Sequence, residues 1–190
     1  MTGWEFAAVL LAIAYLLLAI RQNILCWPAA ILSCGIYIFL MFSAGLYMES
    51  ALQVFYIAMA FYGWWSWRHG WSANHELPVS SWPLAFHVPV LAVIALLTWG
   101  SGYLLNNYSD ASFPYLDSFT TWSAIVTTWM VARKILQNWH YWFVIDSLSV
   151  YLYINRDLYL TALLFCIYLI LIIVGYRVWK KSYVDTSWKA

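Results

Sequence analysis

"GWWSWRH" at residues 63–69 and "GYRVWKK" at residues 175–181 decide the fold, because one can be laid over the other. They define an offset of 112 residues. The same ungapped offset pairs Arg21 with Arg133, Trp27 with Trp139, Leu40 with Leu152, "LY" 46–47 with "LY" 158–159, Leu52 with Leu164 and Tyr56 with Tyr168. Leucine coincidences are cheap in an apolar chain. A shared arginine, two tryptophans, two tyrosines and a glycine are not, so the chain reads as an internal duplication. Both stretches place a tryptophan just before basic residues, the pattern of an interfacial ring at a cytoplasmic helix end. Trp67 and Trp179 are accordingly expected in an aromatic belt.

The composition sets the environment. Of 190 residues, 65% are hydrophobic and 9% charged, whereas a soluble domain carries about 25% charged residues. The chain reads as an all-α integral membrane protein. Apolar segments near 4–20, 26–43, 47–67, 84–105, 113–132, 139–154 and 158–179 approach the length of ~17–25 residues that a spanning helix needs, which predicts seven transmembrane helices. Three segments fall in each copy and one between them. That odd count puts both copies the same way up, a 3+1+3 parallel arrangement of the SWEET-like kind. The expected division is a first three-helix repeat over 1–70, a linker over 71–110 with its helix at 84–105, a second three-helix repeat over 111–182, and a cytoplasmic tail over 183–190. "MTGWEF" at the start carries Glu5 and no basic region, so the first segment is expected to stay as a helix.

Orientation follows from the basic residues, which favour cytoplasmic loops. Arg21, Arg68, Arg133, Lys134, Arg177, Lys180, Lys181 and Lys189 fall at one end of the segments. Glu5, Glu49, the acidic "NNYSDASFPYLD" (106–117) and the self-cancelling Arg156 and Asp157 fall at the other. The amino terminus is expected outside and the carboxyl terminus in the cytoplasm. A net charge of +1 gives no reason to expect a nucleic-acid partner. Cys26, Cys34 and Cys166 lie in apolar segments without metal-ligand spacing. No GxSxG or HExxH motif occurs, and His69, His75, His87 and His140 form no metal-binding pair. An enzyme is not expected, nor a metal or cofactor.

Function must come from polar groups at membrane depth, which are costly and usually face a cavity. Asp146 is the acidic residue well inside a predicted span. On a helix it shares a face with Trp139, Trp142, Ser149 and Tyr153, and a carboxylate among aromatic walls suits a flat organic cation. The alternative for Asp146 is packing glue, protonated or hydrogen-bonded to a neighbouring helix. Gln53 and Tyr56 share a face of the third segment, with interhelical hydrogen bonding as the alternative for Gln53. Trp122 and Trp129, seven residues apart, sit deeper than a belt requires and are expected to line the cavity. Tyr37 aligns with Ser149 at the repeat offset. A membrane receptor or structural protein is the competing class.

"RQNILCWP", "LYMESALQVFYIAMAFYGWWSW", "FPYLDSFTT", "VARKILQNWHYWFVIDSLSVYLY" and "LYLTALLFCIYLILIIVGYRVWKK" together resemble the PnuC family of vitamin transporters over nearly the whole chain. The resemblance implies facilitated diffusion of a small cationic B vitamin across the bacterial inner membrane, with cytoplasmic kinases trapping it by phosphorylation. It also implies that Gln53, Trp142 and Asp146 bind the substrate. Members that carry nicotinamide riboside usually have Asn where this chain has Asp146, which points to the related thiamine branch, PnuT. Both vitamins are planar cations, and both stay open, as do a sugar or flavin substrate and a homo-oligomeric state.

Overall fold

The computed structural model describes residues 3–43, 47–70, 77–108, 113–155 and 159–187. Among them run seven helices: α1 (Gly3–Ile20), α2 (Cys26–Ser43), α3 (Tyr47–His69), α4 (Leu84–Tyr108), α5 (Pro114–Ala132), α6 (Asn138–Asn155) and α7 (Tyr159–Ser187). The expected ends are met within three residues except at one place. Helix α7 runs to Ser187, eight residues past the expected stop at 179, so most of the segment taken as a tail continues the helix. Helix α4 and the stretch Ala162–Asp185 of α7 are long and apolar enough to cross a membrane. Phe6–Ile20 and Cys26–Leu40 are shorter apolar helices.

Six of the helices close a ring. Helix α2 packs between α1 and α3, α6 packs between α5 and α7, and the two groups meet through α3 against α5 and α1 against α7. Helix α4 stands outside the ring, packed on α5. The two turns that reverse the chain inside each group have the same local geometry, 112 residues apart. Gln22 at φ 54° and Lys134 at φ 49° both take the left-handed conformation, which costs an ordinary L-residue about 1–2 kcal/mol. Each is held by the double hydrogen bond of a helix C-terminal motif. Gln22 N–H donates to the Ala19 carbonyl at 3.0 Å and Asn23 N–H to Leu18 at 2.9 Å. Lys134 N–H donates to Val131 at 3.0 Å and Ile135 N–H to Met130 at 2.9 Å.

Four tryptophans form the centre of the ring. Trp27 meets Trp67 edge-on at 5.2 Å, Trp139 meets Trp179 edge-on at 5.4 Å, and Trp67 and Trp179 meet each other at 6.1 Å. Trp67 Nε1–H donates to the Val131 carbonyl of α5 at 3.2 Å, and Trp179 Nε1–H donates to the Ala19 carbonyl of α1 at 3.0 Å. Each indole thus crosses to the opposite group and finds the equivalent carbonyl. The belt expectation for Trp67 and Trp179 is corrected by this arrangement, since both rings are buried. A ring near a membrane surface can face protein as readily as lipid, and here the indole N–H has a carbonyl to satisfy.

Gly63 and Gly175 permit the approach. A Cβ at Gly63 would overlap the Trp27 ring, and one at Gly175 would overlap the Trp139 ring. The segment ahead of α4 is more than a tether. Leu77 and Val79 are buried in the same core as the tryptophans. Ser80 N–H donates to the Lys134 carbonyl at 3.0 Å, and Leu136 N–H donates back to the Ser80 carbonyl at 2.8 Å. Gln137 clamps the next two residues, donating to Ser81 Oγ at 2.7 Å and to the Trp82 carbonyl at 3.0 Å. Residues 77–82 therefore strap down the turn between α5 and α6.

Candidate functional site

Two chambers lie inside the ring, one of about 230 Å³ and one of about 320 Å³. Ala12, Tyr15, Trp142 and Tyr168 border both, so the chambers adjoin. Six residues of one wall correspond to six of the other at the same offset of 112 residues. Trp27, Ala30, Cys34, Gln53, Tyr56 and Ala60 line the larger chamber. Trp139, Trp142, Asp146, Phe165, Tyr168 and Ile172 line the smaller one in the same positions.

What differs between the paired walls is the chemistry. The smaller chamber has Trp142 where the other has Ala30, Asp146 where the other has Cys34, and Phe165 where the other has Gln53. One side is an acidic aromatic box. The other, with Ser33, Cys34, Tyr37, Gln53, Tyr56 and Thr128, is neutral and rich in hydrogen-bonding groups. Asp146 is only 5% exposed. Among the described residues, no hydrogen-bond donor or cationic side chain is paired with its carboxylate. A buried charge without a protein partner is expensive, and a cationic ligand between aromatic faces removes that cost. At the two floors, Trp27 Nε1 and Trp139 Nε1 have no acceptor among the described residues.

The expected site residues divide. Gln53, Tyr56 and Tyr37 line the neutral chamber, Asp146 lines the acidic one, and Trp142 borders both. Ser149 is buried, but its Oγ donates to the Ile145 carbonyl one turn back at 2.9 Å and it borders neither chamber. Trp139, expected on the same face, sits at the chamber floor with its ring edge-on to Trp179. The side chain of Tyr153 lies outside the described residues.

Trp122 and Trp129 are not brought to the chambers. Trp122 Nε1–H donates to Ser101 Oγ of α4 at 3.1 Å, and the Trp129 ring packs 5.7 Å from Trp82. Helix α5 touches α3, α4 and α6, and these rings occupy its outer side, toward α4. Sequence reasoning missed Tyr15, Cys34, Phe165 and Tyr168 as lining residues. The repeat offset held the signal for three of them: Tyr168 is the counterpart of Tyr56, Phe165 of Gln53 and Cys34 of Asp146.

No group of three or more His, Cys, Asp or Glu able to hold a metal occurs among the described residues. A cavity inside a helix ring, walled by aromatic rings and a carboxylate, is suited to holding and releasing a solute.

The sequence profile described as nicotinamide mononucleotide transporter matches residues 2–181. The nicotinamide riboside transporter PnuC of Escherichia coli is 27% identical over 166 residues, covering 74% of this chain and 70% of that protein. The riboflavin/roseoflavin transporter RibM of Streptomyces davaonensis is 27% identical over 173 residues, covering 90% of this chain and 81% of that one. A crystal structure of the vitamin B3 transporter PnuC superposes on 96% of this chain and 82% of its own with a TM-score of 0.77, at 19% identity. The fold is common to both.

Proposed function

The chain belongs to the nicotinamide mononucleotide transporter family, and on that premise we propose that it carries a small cationic B vitamin of the nicotinamide riboside type into the cell. The observation that carries this reading is the contrast between two matched chambers. The cationic ring sits in the acidic box, between Trp142, Phe165 and Tyr168 and against Asp146. Its polar remainder, hydroxyls or a ring amine, sits in the neutral chamber with Gln53, Tyr37 and Tyr56. Thiamine meets the same chemical description and is the second substrate to test. Riboflavin, the cargo in the name of the RibM relative, is neutral and leaves the Asp146 charge unanswered.

The same reading extends to the architecture. We take α1–α3 and α5–α7 as parallel repeats, with α4 as connector, the amino terminus outside and the carboxyl terminus in the cytoplasm. Alternating access is then rocking of the two triplets about the chambers. The recurrence of the turn geometry, the tryptophan bonds and the chamber walls at one offset supports it. At about 100 mV, inside negative, one positive charge gains about 2.3 kcal/mol on entry, which is about 50-fold accumulation. Coupling to an ion adds nothing that uptake requires, and cytoplasmic phosphorylation traps what enters.

The test is uptake of nicotinamide riboside, thiamine and riboflavin into proteoliposomes with an imposed potassium diffusion potential. The expected outcome is accumulation of a cation that rises with inside-negative potential and leaves the solute chemically unchanged. Uptake of riboflavin alone, indifferent to potential, overturns the reading. Trp142→Ala is expected to weaken binding of the transported cation by about tenfold, from the loss of about 1–2 kcal/mol of cation–π contact. Trp129→Ala, outside the chambers, is expected to change affinity less than twofold by the same calorimetric measurement.

A further inference from the structure

A third cavity lies outside the ring, in the angle between α4 and α6. Both helices pack on α5 but, among the described residues, not on each other. The gap they leave measures about 500 Å³. Leu91, Phe119, Val144 and Ile145 wall its length, and Trp82 of the strap closes one end with Leu84. Leu84, Leu91 and Val144 are also exposed on the outer surface, and none of these residues lines either chamber. The gap therefore opens sideways, toward lipid.

Polar side chains nevertheless face this apolar space, and they are left with hydrogens to give. At the strap end His87, 9% exposed, meets Tyr141 across the gap, with 2.9 Å between His87 Nδ1 and the Tyr141 hydroxyl. One hydrogen bond uses one proton, whereas a neutral imidazole and a phenol bring two. Whichever group donates, the pair keeps one donor for the cavity. Ser123 supplies the other. Thr127 and Thr128, on the same helix, satisfy their hydroxyls by donating to carbonyls one turn back, at 2.6 and 2.7 Å. Ser123 Oγ does not; the residue is 2% exposed and lines the gap, and this oxygen has no partner among the described residues. A buried hydroxyl without a partner is costly, and an acceptor brought by a ligand removes that cost.

The two donors stand at different depths. Ser123 is nine residues before the end of α5 at Ala132, and Tyr141 is three residues after the start of α6 at Asn138. At about 1.5 Å per residue, their backbones are about 9 Å apart in depth.

We propose that this gap binds a lipid-soluble para-quinone. A flat ring with a carbonyl oxygen at each end, plus a hydrogen bond of about 2.7–3.2 Å on either side, spans that depth. One bond comes from Ser123 and the other from the His87–Tyr141 pair. Trp82, Phe119 and Tyr141 offer aromatic surface to the ring, and an alkyl tail leaves past Leu91 and Val144 into the bilayer. A phospholipid answers less of the site. Its ester oxygens lie together near the membrane surface, so an acyl chain would be set against Ser123.

The full chain in phosphatidylcholine nanodiscs is titrated with decylubiquinone, and binding is taken as the excess over empty nanodiscs. Saturable binding of one quinone per chain is expected, and decylbenzene, which has a tail but no carbonyls, should not compete. Ser123→Ala and Tyr141→Phe each remove a hydroxyl and are expected to weaken binding severalfold at unchanged thermal unfolding. Val144→Trp, at an exposed position in the mouth, is expected to abolish it. No saturable excess in the wild type overturns the proposal, as does either hydroxyl variant binding as tightly as the wild type. Native mass spectrometry covers the other occupant: a phospholipid that stays on the chain and is not displaced by the quinone assigns the gap to lipid and overturns the proposal as well.

Discussion

Asp146→Asn is expected to weaken binding of the cationic vitamin by about 1.5–3 kcal/mol, the range for hydrogen bonds to charged groups, which is about 10- to 150-fold in Kd. Asparagine keeps the shape of the side chain and its hydrogen-bonding capacity, so the change isolates the charge. The carboxylate is buried, lies in the chamber with the aromatic walls, and has no cationic protein partner among the described residues. In the proposed function its counter-ion is the ligand. A neutral isostere of the vitamin should bind both proteins alike. Titration calorimetry on monodisperse wild type and variant separates the cases. Equal affinity of both proteins for the cation, with a lower folded yield of the variant, would make Asp146 a packing residue and move the site toward Gln53.

The second large effect is on stability. Trp179→Ala removes a side chain with no exposed surface from the centre of the ring, and about 3–5 kcal/mol is expected to go with it. Edge contacts to Trp67 and Trp139 disappear together with the hydrogen bond to Ala19, so the two triplets lose part of what joins them. Thermal unfolding of detergent-solubilised protein should show either a large fall in Tm or no folded peak. Trp65→Ala is the control. That ring is 59% exposed, and its loss should leave the unfolding curve close to that of the wild type. Equal curves for the Trp179 variant and the wild type would mean that the tryptophan centre contributes little.

Much of the fold is legible because a membrane helix announces itself by length and hydropathy, and the turns at Arg21 and Arg133 interrupt the apolar runs visibly. The site is legible where one residue stands out chemically, as Asp146 does, or where a single face of a helix is polar, as around Gln53 and Tyr56. Periodicity fails for α5. Trp122 and Trp129 lie seven residues apart on one face, but a helix with three neighbours has more than one buried face, and spacing does not say which one looks inward. The belt rule fails at Trp67 and Trp179 for a related reason: it reports depth along the membrane normal and says nothing about whether lipid or protein lies beside the ring. The strap at 77–82 has no periodic signature at all, since two buried residues and a few backbone bonds to a turn far along the chain leave no trace in local sequence.

That strap sets a timetable for synthesis. Ser81 is bonded to Gln137, 56 residues later in the chain. At a translation rate of about 5–20 residues per second, the strap waits about 3–11 seconds for the turn it belongs to. Within that interval α4 is complete before the α5 it packs on has been made. It is well fitted to the delay, being long, strongly apolar and little buried even in the finished protein, so lipid alone serves it as solvent. Helices α5 and α6, with their buried serines, threonines and Asp146, have no such independence. The order of the chain thus releases first the helix that can stand alone, and only afterwards the ones that need company.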